Sequence, residues 1–280
     1  MIKRNKEHGI LRIFDPLQYP DFDKTDCILN LTVFLENDGL RRMDNGCREP
    51  TDNKQEMENL KRNIDFFDKS SHSIKTDFSM KLVISVNGHL MDDQSINYLK
   101  SLDRQKLNDS KVEIIIYQRP NIGWQWGSLW DIWTRWKNVN CEYWVSKECD
   151  WHFRLENWYD ILKEKLISNK NAAFVSAYER KFKFDPYEYY GPLSIDVWRD
   201  INGKPFKAKF EDVKHVQPSY YFMRKSFLEK MDKTFGCFTY ALGQSYELDA
   251  IVYGEMGFSQ KTKALGYSWV EFYDLTNPDN

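Results

Sequence analysis

The chain has 280 residues, with 40 basic against 42 acidic side chains for a net charge of −2, and is 16% aromatic. Balanced charge spread along the chain excludes the electrostatic footprint of a nucleic-acid binder, and so many aromatic residues exclude disorder. No apolar run approaches the roughly 18 residues of a membrane span, and the basic start, MIKRNKEHGILRIF, lacks the apolar stretch and cleavage site of a signal peptide. A cytoplasmic protein without a transmembrane segment is expected, peripheral membrane contact aside. The five cysteines at 27, 47, 141, 149 and 237 have no C-x-x-C spacing. They read as reduced thiols rather than disulfides or zinc ligands.

Taken in chain order, apolar β-rich runs fall at 30–35 (NLTVFL), 81–86 (KLVISV), 112–117 (VEIIIY), 142–146 (EYWVS) and 172–177 (AAFVSA). Between the first two, Met57, Leu60, Ile64 and Phe67 repeat at helical spacing, with Asp52 and Gln55 placed as a capping box. Ile96, Leu99, Leu102 and Leu107 predict a second helix, started by Asp92 or Asp93. A third is loaded with Trp126, Leu129, Trp130, Trp133 and Trp136 on one broad face. Strands alternating with helices imply an α/β fold whose central sheet is mostly parallel. Runs this continuously apolar fit a sheet covered on both faces.

Beyond 177 the rhythm breaks. Residues 178–217 are rich in Tyr, Pro, Gly and charge and predict turns with a small antiparallel piece. Order returns with a strand at 219–223, a short helix at about 225–231 and a last helix within 246–265, stopped by Gly266. No repeat or linker interrupts the chain, so one domain spanning 1–280 is expected. Residues 30–150 and 151–270 read as its two halves.

The chemistry gathers at predicted strand ends, where α/β sheets bind ligands. Glu148 and Asp150 follow the fourth strand and can hold a hard divalent cation through carboxylate oxygens, and through it a diphosphate. Arg119-Pro120-Asn121-Ile122-Gly123 forms a turn into the next helix, whose backbone N–H groups can approach an anion. Glu36-Asn37 and Asn87-Gly88-His89 close the first two strands with side chains able to hydrogen-bond a base. Trp124, Trp126 and Trp151 are candidates to stack on a sugar or base. His89, His152 and His215 are weaker candidate bases. Near the last helix, Glu247, Asp249 and Glu255 supply carboxylates for a general base.

In that order, the pieces resemble the inverting glycosyltransferases of the family-2 kind, which have the GT-A fold. That family has an N-x-G after its third strand, matched by Asn121-Ile122-Gly123, and a "yilfLDaDd" (DXD) motif ending its fourth, matched by the segment from Tyr143 to Asp150. Its "DDGS" slot falls on Val86-Asn87-Gly88-His89, and its "ED…R…aGy" helix on the segment from Gly254 to Tyr267. The chain departs from the pattern with Glu148 for the first Asp of DXD, Asn87 for the base-binding Asp, and Met256 after Glu255.

The resemblance implies a GT-A-like domain that moves a sugar from a nucleotide-sugar donor, UDP-linked, to a hydroxyl of a glycan or other acceptor, with inversion. Residues 30–150 would be the nucleotide-binding half and 151–270 the acceptor-binding half, and Asp150 and Glu148 would hold Mn²⁺ or Mg²⁺. Glu36, Asn37, Asn87, Asn121, Gly123 and Glu148 would contact the donor. Glu255 would be the base, with Asp249 and Glu247 as alternatives. A nucleotidyltransferase of related fold and a non-catalytic sugar-binding protein are the competing classes.

Overall fold

The computed structural model describes residues 22–35, 40–42, 48–50, 53–88, 93–119, 124–181, 214–216, 219–236 and 254–277. Its first strand, β1 (Cys27–Phe34), is buried at every position. A hairpin of β2 (Leu40–Arg42) and β3 (Arg48–Pro50) precedes α1 (Asn53–Lys69), which leads to β4 (Met80–Asn87). Then come α2 (Asp93–Leu102), β5 (Lys106–Leu107), β6 (Val112–Arg119), α3 (Trp124–Trp136), β7 (Tyr143–Glu148), β8 (His152–Phe153), α4 (Trp158–Ser168) and β9 (Ala172–Ser176). The remainder comprises β10 (Glu179–Lys181), β11 (Lys214–Val216), β12 (Tyr220–Arg224), α5 (Lys225–Phe235), α6 (Gly257–Ala264), β13 (Ser268–Glu271) and β14 (Thr276–Asn277).

Eight of these strands form one sheet in the order β13-β9-β12-β7-β1-β4-β6-β5. The α/β expectation holds: β1 pairs in parallel with both β4 and β7, β4 with β6, and β9 with β13. Strand β12 is the exception in the sheet's interior, lying antiparallel between β7 and β9. The sheet takes strands from both 30–150 and 151–270.

Two cores lie on its two faces. Cys27, Leu29, Leu31 and Val33 of β1 face one side with Met57, Leu60, Ile64 and Phe67 of α1, Leu99 of α2 and Leu162 of α4. Ile28, Val83 and Trp144 face the other, against Trp126, Leu129 and Trp133 of α3, Phe227 of α5 and Phe258 of α6. Trp126 and Trp133 are thus core residues.

Several predicted elements shift. Leu107 belongs to β5, antiparallel to β6, rather than to the second helix. Positive φ at Arg104 and at Asn108-Asp109-Ser110 turns the chain there, ending the helix at Leu102. The helix after β12 runs on to Phe235 and is closed by Gly236 in the left-handed region. Helix α4, which the sequence reading leaves unassigned, buries Trp158, Tyr159, Leu162 and Leu166. The expected small antiparallel piece is present as β10–β11. No helix among the described residues is long and apolar enough to cross a membrane.

His72 locks the base of this assembly. It is fully buried at a φ of 54°; its Nε2–H donates to Phe67 O at 2.6 Å, and Nδ1 accepts from Trp158 Nε1 at 2.8 Å. Burial is the main cause holding its pKa down at about 4. The unfolded imidazole takes up its proton near 6.5, so the folded state resists protonation between the two values. Stability is therefore full above about pH 6.5 and falls as pH drops towards 4, by up to ~3 kcal/mol. Urea denaturation across that range is expected to show the slope in wild type and a flatter one in His72→Gln.

Candidate active site

Period-two alternation sorts the carboxyl halves of the central strands. Leu31, Val33, Ile84, Val86 and Val145 face α1, whereas Asn30, Thr32, Ser85, Asn87, Ser146 and Glu148 fall on the α3 face by register. A buried polar layer results, joined in part by a bond from Ser85 Oγ to Asn30 Oδ1 at 2.8 Å. It lies where the chain leaves the adjacent strands β1 and β7 in opposite directions along the sheet, towards β4 and towards β9. That is a topological switch point, and the crevice outside the carboxyl ends there is where open α/β sheets bind ligands.

Glu148 and Asp150 stand at this point. Glu148 ends β7, half-buried and paired in register with Thr32 of β1, while Asp150 is exposed in the turn that follows. Between them Cys149 is buried, its N–H bound to Thr32 O at 3.1 Å. Burial pushes its thiol well above the ordinary range, so it is a neutral packing group.

Two carboxylates alternating around a buried residue suit a hard cation that keeps other positions for water and phosphate oxygens. No group of three or more His, Cys, Asp and Glu converges as a ready-made cage among the described residues. A Mg²⁺-type site completed by substrate needs none.

Lys147 turns the other way, towards α1, and is fully buried. Its Nζ donates to Asn63 Oδ1 at 2.6 Å, to Glu148 O at 2.9 Å and to Trp151 O. Burial lowers its pKa to about 8, opposed in part by the carboxylates of Asp150 and Glu148.

Glu255 follows Gly254, which packs against the Trp126 indole of α3. It sits in a turn of π-helix over residues 254–256 at the head of α6, a geometry that recurs at functional sites. Ser259 Oγ donates to Glu255 O at 2.9 Å and accepts from Val216 N at 3.1 Å, tying β11 to the helix. This brings His215 Nε2 to 3.6 Å from Glu255 Oε2, with both side chains largely buried.

Tyr221 of β12 is in register with Ser146 of β7, its hydroxyl donating to Val216 O at 2.8 Å. Burial, then the charges of Glu255 and Glu148, push that hydroxyl well above the ordinary tyrosine range, so both carboxylates are within electrostatic reach of it. Ser219, opposite Glu148 by register, accepts its N–H at 3.2 Å through the carbonyl. The Ser219 hydroxyl is buried without a hydrogen-bond partner.

Asn87 has a different part from the one its strand-end position suggests. It is fully buried, Nδ2 donates to Trp124 O at 3.0 Å, and Oδ1 accepts from Arg119 Nη1 at 3.1 Å and Ser128 Oγ at 3.3 Å. Arg119 in turn holds Asp131 through Nε at 2.7 Å. These bonds fasten the head of α3 to β4 and β6. Asn87→Ala is expected to cost ~2 kcal/mol by stranding these buried partners, read as a lower urea midpoint.

Trp126 packs against Tyr221 and Phe258 in the core, and Trp124 against Phe34, so neither is an open stacking face. Trp151, beside Asp150, is also mostly buried and contacts Tyr178 at 6.1 Å between ring centroids. Glu36, Asn37, His89, Asn121, Gly123, Glu247 and Asp249 lie outside the described residues.

The sequence reading missed Lys147, Asn63, Ser219 and Tyr221 and gave His215 only a weak role. The available signal was the polar–apolar alternation of NLTVF, ISVN and VSKE, which marks one face of the strand ends as polar.

No protein-family model matches the chain, and no curated protein matches it. Among solved structures it is similar to mannosyltransferase PcManGT from Pyrobaculum calidifontis, in complex with GDP-Man and Mn²⁺, at 11% identity and a TM-score of 0.47. The match covers 92% of this chain and 59% of that one, so the chain spans about three-fifths of the mannosyltransferase's length.

Proposed function

We propose that the chain is a GT-A-like glycosyltransferase that moves a sugar from a nucleotide-diphosphate donor, UDP-linked, to an acceptor hydroxyl with inversion. One observation supports this most. The Glu148–Asp150 end of β7 lies at the topological switch point, and Glu255 follows Gly254, which packs against Trp126 on the α3 face that Glu148 shares by register. Such an arrangement offers one acidic end for a donor diphosphate and a separate carboxylate for an acceptor.

In this reading Asp150 and Glu148 would hold Mn²⁺ or Mg²⁺, which when bound would offset the negative charge of the diphosphate leaving group. Glu255 takes the proton of the acceptor hydroxyl as its oxygen attacks the anomeric carbon. The bond from that carbon to the diphosphate oxygen breaks, and the nucleoside diphosphate leaves with its electron pair. The polar layer of β1, β4 and β7 lines the floor beside Glu148. Glu36, Asn37, Asn121 and Gly123 complete the donor side, and Asp249 and Glu247 are the alternative bases.

Calorimetric titration of UDP and of GDP, each with and without Mn²⁺, tests the donor site. The expected result is Mn²⁺-dependent binding of one nucleotide, lost in Asp150→Ala. Failure of both nucleotides to bind under any condition would overturn the reading and favour a sugar-binding protein without turnover.

A further inference from the structure

We propose that Lys147 and Asn63 form a buried clamp that positions the 148–151 turn for its ligand, an inference that rests on the donor-site reading of that turn. An ammonium group has three N–H donors, and Lys147 places one on each of Asn63 Oδ1, Glu148 O and Trp151 O. Asn63 Nδ2 adds bonds to Cys149 O at 2.7 Å and to Asn59 O at 2.8 Å, which anchors the arrangement to α1. Two side chains therefore gather the carbonyls of residues 148, 149 and 151 on the α1 side. Asp150, between them in sequence, is left exposed to solvent.

Burying a cation is costly unless its donors are satisfied, and an apolar side chain would fill a strand interior without that cost. Here the acceptors are mostly backbone of the turn rather than a carboxylate, so the charge organises main chain. Phe153 packs its ring 5.4 Å from the same Nζ and closes the far side of the clamp. Glu148 and Asp150 thus project from a turn whose carbonyls are held on one side before any ligand arrives. Preorganisation of this kind removes an ordering cost from binding.

Hydrogen exchange read by mass spectrometry on the full chain compares wild type with Lys147→Met, Asn63→Ala and Ile64→Val. Ile64 is a core residue of the same helix whose side chain makes no hydrogen bond to the turn, so its variant reports general destabilisation alone. Amides of 148–153 are expected to exchange about tenfold or more faster in both clamp variants than in Ile64→Val.

Asn63→Ala changes no charge, so it isolates positioning from electrostatics. It is expected to weaken Mn²⁺-supported binding of UDP or GDP by about tenfold. Unchanged exchange in both clamp variants would overturn the clamp. Faster exchange with unchanged nucleotide affinity would overturn its positioning role. A wild type that binds neither nucleotide would refute the donor reading and the positioning role with it, while the exchange comparison still decides whether the clamp exists.

Discussion

Glu255→Gln is expected to lower kcat for sugar transfer by about 10²- to 10⁴-fold, the usual contribution of a positioned general base, with donor affinity unchanged. The amide keeps the shape of the carboxylate but cannot accept the acceptor's proton. Glu255 suits the task because its side chain is partly open, at 14% exposed, and lies 3.6 Å from the His215 imidazole. Nucleotide release from the donor that calorimetry identifies is the readout, measured with and without acceptor. Full activity in this variant would move the base to Asp249 or Glu247.

A second large effect comes from one methyl group. In Gly254→Ala the new Cβ would lie 2.1 Å from Trp126 Cδ1 and 2.3 Å from Nε1, far inside contact distance. The indole cannot swing aside, because it is 1% exposed and wedged between Tyr221 at 5.2 Å and Phe258 at 4.9 Å. Overpacking of a full core costs about 1–3 kcal/mol and more where nothing can yield. The backbone must therefore move, and Glu255 is the next residue. A shift of about 1 Å at a catalytic group can cost on the order of 100-fold, so stability and turnover should both drop. A urea midpoint equal to that of wild type would show that the close packing of Trp126 on residue 254 is not rigid.

Much of the sheet was legible because buried parallel strands need continuous apolar runs. Cys27–Phe34, Met80–Asn87 and Val112–Arg119 each extend one to three residues beyond an end of the predicted run. Helix α1 was legible through its apolar spacing, and its buried stripe is the predicted one. Helix α4 was less legible because its stripe of Trp158, Leu162 and Leu166 is short and its N-cap, Asn157, makes no side-chain capping bond.

Within the site, Glu148 and Asp150 could be read from their position after a strand. The His215–Glu255 contact could not, since it joins residues forty positions apart through Ser259. Lys147 was hidden for a different reason. A lysine near a strand end reads as solvated, and only the position of Asn63 on α1 reveals an internal partner. Asn87 shows the converse: a polar residue at the right strand end can be consumed by holding α3 in place.

The antiparallel strand β12 has a consequence for synthesis of the chain. Strand β9 leaves the ribosome well before β12 and β13, the two neighbours that cover both its edges. At ~5–20 residues per second, Ala172–Ser176 waits on the order of seconds for Tyr220–Arg224 to arrive. During that interval Phe174 and Val175 sit on a strand with two open edges, a template for pairing with other nascent chains. Yield of native protein is therefore expected to depend on translation speed and on chaperones that shield this segment, with slower decoding after β9 lengthening the hazard.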